Sequence, residues 1–486
     1  MRDRFTVSFT GRSIGTCVLC AIALGLLVAT ALATDLEQPG HTREESPLTP
    51  QNYGALKPIV LIAGGTGYVD RAMGKSPGVL NSAEIYDPAL RRFMPIAPMN
   101  ERRDQFTAAA ISIDKVLLVG GINTLLVPLN VFPGPAMPWI LRSTEVFNSG
   151  DGKFVAAPSM KSSRDEPTVT PLENGKLLIV GGDSPSAEIY DPASNTFSDT
   201  GAMASSRHGQ TATLLRGGRV LIAGGGVQKL EVYDPAGGKF NIEGQLSNNR
   251  LYHTATLLDD GRVLIAGGCP FARSSALDTS EIFDESNQSV VDGPKMTQSR
   301  AGHTATLLND GSVLIAGGRG DKSSELYDPQ SGQFIEGPEM VEARSGHSAT
   351  LLPDGTVLIA GGWDPDYKPL ASAEIFDPVA DRFVTTGDMT EARAGQSATL
   401  ILARDPIAWI QPTPSATPTP SNTPTDTLTP TPSITPTKSP TPTITPTPTA
   451  DAASTPSAKE PSNRGQCLSL KFHCDNRVVS QFEVRG

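Results

Sequence analysis

Seven times along the chain a short apolar run ends in two adjacent glycines, at Gly64-Gly65, Gly120-Gly121, Gly181-Gly182, Gly224-Gly225, Gly267-Gly268, Gly317-Gly318 and Gly361-Gly362. Self-similarity at a period of roughly 40 to 60 residues marks a repeat architecture, in which one unit cannot bury its apolar face alone and stacks on the next. The first copy, "VLIAGGTGYVDRAMGKS", also resembles a nucleotide loop, but that reading fails on spacing. A phosphate-binding loop needs glycine where Val69 stands. The dinucleotide fingerprint needs one where Asp70 stands, and a carboxylate there would repel pyrophosphate.

Spacing inside the unit is equally regular. A glutamate follows each pair (Glu84, Glu145, Glu188, Glu231, Glu281, Glu325, Glu374), and two positions on stands Tyr86, Phe147, Tyr190, Tyr233, Phe283, Tyr327 or Phe376. Seven further comes Phe93, Phe154, Phe197, Phe240, Val290, Phe334 or Phe383, and six later a methionine or Leu246. Four residues beyond that is an arginine: Arg103, Arg164, Arg207, Arg250, Arg300, Arg344 or Arg393. From each of the first six arginines the next glycine pair begins 17 residues on, so length varies only between glycine pair and glutamate. Short apolar runs bounded by turn residues read as strands of an antiparallel meander. Each unit predicts strand a ("HTATLL"), an Asp-Gly turn, strand b ("VLIAGG"), a variable loop, strand c ("AEIYD") and strand d ("GQFIEG"). Asp-Gly suits the positive φ of primed hairpin turns.

From Pro58 to Arg404 this unit resembles the Kelch repeat, although that family's second aromatic is usually tryptophan and here is phenylalanine six times and Val290 once. The resemblance implies an all-β, seven-bladed β-propeller over 58–404. Closure is expected from the ends of the repeat region. The first unit begins at strand b ("PIVLIAGG"), and the last repeat is followed by an orphan strand a, "AGQSATLIL", from Ala394 to Leu402. Pairing the two completes a blade and removes the open edges. Propellers of this kind serve as enzymes and as docking platforms, so fold alone leaves function open.

The flanking segments read differently. Arg2, Arg4 and Arg12 precede an apolar run from Cys17 to Ala33 that closes on Ala-Leu-Ala, the pattern of a cleaved secretory signal over 1–33. The alternative is an uncleaved anchor, since about 17 apolar residues is the lower limit for spanning a bilayer. A linker over 34–57 follows. Residues 405–462 form a Pro/Thr-rich tract that is expected to be a disordered, polyproline-like stalk. It resembles the wall-spanning stalks of exported bacterial proteins, which implies a secreted or cell-surface protein, with the cell wall as a site of association. A short segment, 463–486, carries Cys467 and Cys474, close enough to close a small disulfide loop in an oxidising compartment. Cys269 stands alone and reads as a buried structural thiol. A net charge of −11 argues against nucleic acid and anionic membranes as partners.

Successive connections of a meander alternate between the faces of the disc, so the b–c loops and the arginine-bearing d–a connections share one face. Long b–c loops in blades 1, 2, 5 and 7 break the symmetry there, and long loops are commonly functional. Tyr68, Asp70 and Trp139 on the loops of blades 1 and 2, with Arg103 and Arg164 on the channel side, are the candidate ligand contacts. The arginines could ring the channel mouth and attract an anion, or each could pair with a repeat glutamate; their presence in every blade favours pairing. His253, His303 and His347 share one repeat position and read as scaffold. Galactose oxidase-type copper enzymes of this propeller class need His and Tyr ligands and a cross-linked cysteine, a cluster not evident in the sequence. No metal, cofactor or catalytic residue is expected. The expected function is a non-catalytic module that binds a glycan or an extracellular protein through this face. The alternative is a carbohydrate-active enzyme, similar to Kelch-type sialic acid mutarotases or, more remotely, to galactose oxidase.

Overall fold

The computed structural model describes residues 56–403, apart from 72–73, 125–137, 273, 319 and 321. The expected signal, the linkers, the stalk and the Cys467–Cys474 pair lie outside the described residues.

Seven four-stranded antiparallel sheets follow one another as blades, with each glycine-terminated run as strand b. In blade 5 strands a to d are Thr254–Leu257, Val263–Ala266, Ser280–Asp284 and Ser289–Asp292. Strand b is apolar without alternation because both faces of a blade are buried. Val263 and Ile265 pack against Leu221 and Ala223 of blade 4, whereas Leu264 and Ala266 pack against Val313 and Ile315 of blade 6. Period-two side-chain alternation thus feeds two hydrophobic seams from one strand. The spaced aromatics face each other across strands c and d, as in Tyr86 and Phe93, whose ring centroids are 4.8 Å apart in a tilted arrangement.

The ring closes through the C-terminal strand, as expected. Ser397–Ala403 pairs antiparallel with Lys57–Ala63 to give blade 1 its innermost strand. The closing seam joins Val60, Ile62 and Tyr86 to Leu358, Ala360 and Ile375 of blade 7. Arg393–Ala394 is separated from this strand by Gly395, at φ 66, and pairs instead with Thr66 and Gly67. The strands a of neighbouring blades touch around the whole circle and line the axis.

One polar device recurs at every seam. The Arg103 side chain is fully buried and reaches from blade 1 into blade 2, where it meets Glu145 at 3.1 Å and donates to the Gly120 carbonyl at 3.0 Å. The pattern repeats as Arg164–Glu188, Arg207–Glu231, Arg250–Glu281, Arg300–Glu325 and Arg344–Glu374, and returns to the start as Arg393–Glu84 at 2.9 Å. The backbone of each arginine stays with the preceding blade: the Arg103 carbonyl accepts from Gly65, and the Arg393 carbonyl accepts from Gly362. The second oxygen of each glutamate accepts a backbone N–H just after the repeat methionine, as Glu145 does from Asn100 at 2.7 Å. Both glycines of a pair are needed here. Gly64 and Gly65 sit at φ 60 and 88, and a Cβ on Gly64 would stand 2.5 Å from the Arg103 carbonyl oxygen.

Removing one partner of a buried pair leaves an uncompensated charge, at a cost of about 3–5 kcal/mol. Arg250→Ala is therefore expected to lower unfolding stability by that amount in urea denaturation, and adding Glu281→Gln should restore part of it. A loss below about 1 kcal/mol for Arg250→Ala would show that the pair behaves like an exposed one.

Candidate functional site

The staple settles where two expected site residues lie. Arg103 and Arg164 do not face the channel mouth. Both are fully buried in seams, and their guanidinium groups bond to Glu145, Gly120 and Ser143, and to Glu188, Gly181 and Ser186. An arginine in every blade is used identically in every blade, so neither is available to a ligand in this structure.

Two residues after each arginine the chain takes a left-handed turn at the axis. The seven positions are Gln105 (φ 54), Glu166 (52), Gly209 (59), Tyr252 (55), Gly302 (65), Gly346 (59) and Gly395 (66). They form an annulus, since Glu166 donates its N–H to Gln105, Tyr252 to Gly209, Gly302 to Tyr252, Gly346 to Gly302 and Gly395 to Gly346. Four blades use glycine, the residue this conformation favours, whereas three carry large polar or aromatic side chains at a cost of about 1 kcal/mol each. Strain of this kind concentrates at functional sites.

These three side chains gather on one side of the mouth. Gln105 Nε2 donates to Glu166 Oε1 at 2.9 Å. A Cβ placed on Gly209 would lie 3.3 Å from the Tyr252 ring and 3.5 Å from the Glu166 carboxylate. Asp104 accepts from the Thr66 hydroxyl at 2.7 Å and from the Gln105 N–H at 2.9 Å. Burial, with a smaller contribution from Asp165, still pushes its carboxyl up to about 6. His208 Nδ1 meets Asp183 at 2.9 Å. Across the mouth the annulus is glycine at 302, 346 and 395, and the Trp363 ring would lie 3.3 Å from a Cβ on Gly346. The annulus thus carries Gln105, Glu166 and Tyr252 along one arc and glycine at 302, 346 and 395 along the other, with the Asp104 carboxylate beside Gly395 and the Trp363 indole beside Gly346.

The long loops of blades 1 and 2 stand on this face. The blade 1 connection, expected as a loop, is a hairpin of Thr66–Arg71 and Gly74–Val79, with Tyr68 half-buried on its first strand. The Asp70 side chain lies outside the described residues. In blade 2, Ile122–Thr124 pairs with Pro138–Ile140, leaving Trp139 62% exposed. The two hairpins touch through Gly74–Val79 and Ile122–Thr124, so Tyr68 and Trp139 stand on adjoining hairpins. Cys269, expected as a thiol, is disulfide-bonded. The annulus leaves no mark on spacing, because substituting one glycine changes no interval; the legible signal is Gln105, Glu166 and Tyr252 standing where four repeats have glycine.

The Kelch motif model matches residues 343–390, from the Arg344 staple into blade 7 and on to its d–a connection. No curated protein matches the chain. Among solved structures, a fungal alcohol oxidase of the AA5 family in complex with copper aligns with a TM-score of 0.51 at 16% identity, covering 73% of this chain and 94% of that one. YjhT aligns with a TM-score of 0.46 at 14% identity, covering 59% of this chain and 98% of that one. The chain is a seven-bladed β-propeller whose residues 343–390 match the Kelch motif.

Among the described residues no three His, Cys, Asp or Glu side chains converge to hold a metal. Tyr252 packs beside Cys269, but that sulfur is already in a disulfide. His253, His303 and His347 lie buried between blades, with Nε2 against the hydroxyls of Thr211, Thr254 and Thr304 at 3.0, 3.0 and 2.9 Å. Burial, helped by nearby arginines, holds each imidazole neutral, with its pKa lowered to about 3.

Those histidines make stability depend on pH. Each binds a proton more readily unfolded than folded between its ordinary value of 6.5 and about 3, so its contribution is intact above pH 6.5 and lost as pH falls through that window. At pH 5 the loss is about 2 kcal/mol per histidine. The positions hold Gln210 and Gln396 in other blades, so replacing all three histidines by glutamine should fold and flatten the fall in melting temperature between pH 7 and pH 5. An unchanged slope would contradict the buried neutral assignment.

Proposed function

We propose that this protein is an exported, non-catalytic recognition module that takes a glycan or a protein segment at the axial mouth. The observation that carries the reading is the break in symmetry at the annulus, where Gln105, Glu166 and Tyr252 replace glycine at left-handed positions. Scaffolding in a propeller repeats, whereas a site differs from blade to blade. Carboxylates and an amide offer acceptors and donors for hydroxyl or amino groups, and Tyr252, Trp363 and Trp139 offer faces for stacking. The N-terminal apolar segment with its Ala-Leu-Ala ending, and the Pro/Thr tract, support an extracellular role.

The test restores the symmetry. Glu166→Gly and Tyr252→Gly place at these positions the residue that four blades already use, so both variants should fold with equal or greater stability. Each is expected to weaken a ligand found by screening the purified protein on a glycan array, or on extracellular protein, at least tenfold. Asp310→Ala, in the a–b turn on the opposite face, should leave binding unchanged. Full binding by both glycine variants would exclude the annulus as the site. Turnover of a bound sugar would place the protein with the carbohydrate-active enzymes instead.

A further inference from the structure

One turn on the face opposite the mouth departs from its repeats. Between strands c and d, five blades open the turn with Asp-Pro, at Asp87, Asp191, Asp234, Asp328 and Asp377, whereas blade 5 runs Asp284-Glu285-Ser286-Asn287-Gln288-Ser289. Neighbouring groups hold this turn in place. Glu285 accepts from Arg219 Nε of blade 4 at 3.0 Å, and a Cβ on Gly217 would stand 2.9 Å from the same carboxylate. Asp284 accepts from the N–H and the hydroxyl of Ser286 at 2.9 and 2.7 Å. Asn287 is exposed, and after it Gln288 turns left-handed at φ 53. That turn lets Asn287 Oδ1 accept from both the N–H of Ser289, at 3.1 Å, and its hydroxyl. Asn287-Gln288-Ser289 is the only Asn-x-Ser or Asn-x-Thr in the sequence, the acceptor pattern for N-glycosylation. We infer that Asn287 carries an N-linked glycan, added on export, and that the glycan shields the outer edge of blades 4 to 6.

The chemistry follows from the turn. A carboxamide nitrogen is a poor nucleophile, because its lone pair is shared with the carbonyl oxygen. Two hydrogen bonds onto Oδ1 stabilise charge there and make an Nδ2 proton easier to give up, and neither bond uses Nδ2. The donor is a lipid-linked oligosaccharide of the exporting membrane. Nδ2 bonds to its anomeric carbon as the bond from that carbon to the lipid pyrophosphate breaks. The pyrophosphate leaves with the electron pair, and one Nδ2 proton passes to a base of the transferring enzyme. The outer edge supplies the use. Strand d is an edge strand in every blade, and the free N–H and C=O groups of an edge invite pairing with another chain. Ile242, Val291 and Ile335 are exposed on strands d of blades 4, 5 and 6. Asn287 stands just before the middle one of these strands, and a glycan is bulky and solubilising. The inference shares with the recognition reading only the export of the chain.

Mass analysis of tryptic peptides, from protein purified out of the cells that produce it, reads the site directly. The expected product is "SSALDTSEIFDESNQSVVDGPK" carrying added sugar mass, with fragment ions placing that mass on Asn287. Asn287→Gln and Ser289→Ala should each abolish it, whereas Ser289→Thr should keep it. An unmodified peptide from the parent overturns the inference. So does sugar retained in Asn287→Gln, which would place it on a hydroxyl. Sedimentation reads the shielding. Ser289→Ala is expected to associate at concentrations at least tenfold lower than the parent, and Ser289→Thr to behave as the parent. Equal association by all three overturns the shielding even where the glycan is found.

Discussion

A buried arginine at each seam holds the propeller together. Its backbone belongs to one blade and its guanidinium to the next, where a glutamate and a glycine carbonyl receive it. The glutamate in turn accepts an N–H from the blade that sent the arginine. Neither charge could be buried alone, so the pair forms only when two blades are in register. Hydrophobic seams supply the bulk of the stabilisation, but apolar contact between strands b is tolerant of sliding, and the directional pair is not. The glycine pair belongs to the same device, because only a residue without Cβ lets the arginine carbonyl approach strand b so closely.

Repetition leaves a place for difference. With seams and strands committed to the scaffold, the residues free to vary are those at the axis and in the b–c connections. The annulus uses glycine where nothing but a turn is required and spends strain where Gln105, Glu166 and Tyr252 stand. Asp104 lies in the same region, hydrogen-bonded to Thr66 and the Gln105 N–H, with its carboxyl pushed up to about 6 by burial. The arginines, weighed as an anion site or as partners of the repeat glutamates, are paired with the glutamates inside the seams, the reading that their presence in every blade favoured.

The repeat made the blades, the strand order and the closing strand legible, since burial on both faces of strand b and fixed spacings leave traces in a linear sequence. That each arginine pairs with a repeat glutamate was legible too, from the presence of both in every blade, but not that the glutamate belongs to the next blade. Assignment of Arg103 and Arg164 to a ligand failed because an arginine beside a channel and one inside a seam have the same spacing, and only packing tells them apart. The annulus was hidden for a related reason: Glu166 and Tyr252 are ordinary residues until their left-handed backbone is seen. Cys269 could not be paired from sequence, because disulfide connectivity depends on which chain segments meet, not on their separation along it.

Deleting Ser397–Ala403 tests most directly whether the seven seams form one closed ring. The deletion removes the innermost strand of blade 1 and opens the seam that Arg393 staples, while leaving the sequence of the other six blades untouched. In thermal unfolding with sedimentation, a ring predicts a protein that melts far below the parent and associates through its exposed strand edges. A monomer with the parent's melting temperature would contradict closure and, with it, the account of how the axial mouth is formed.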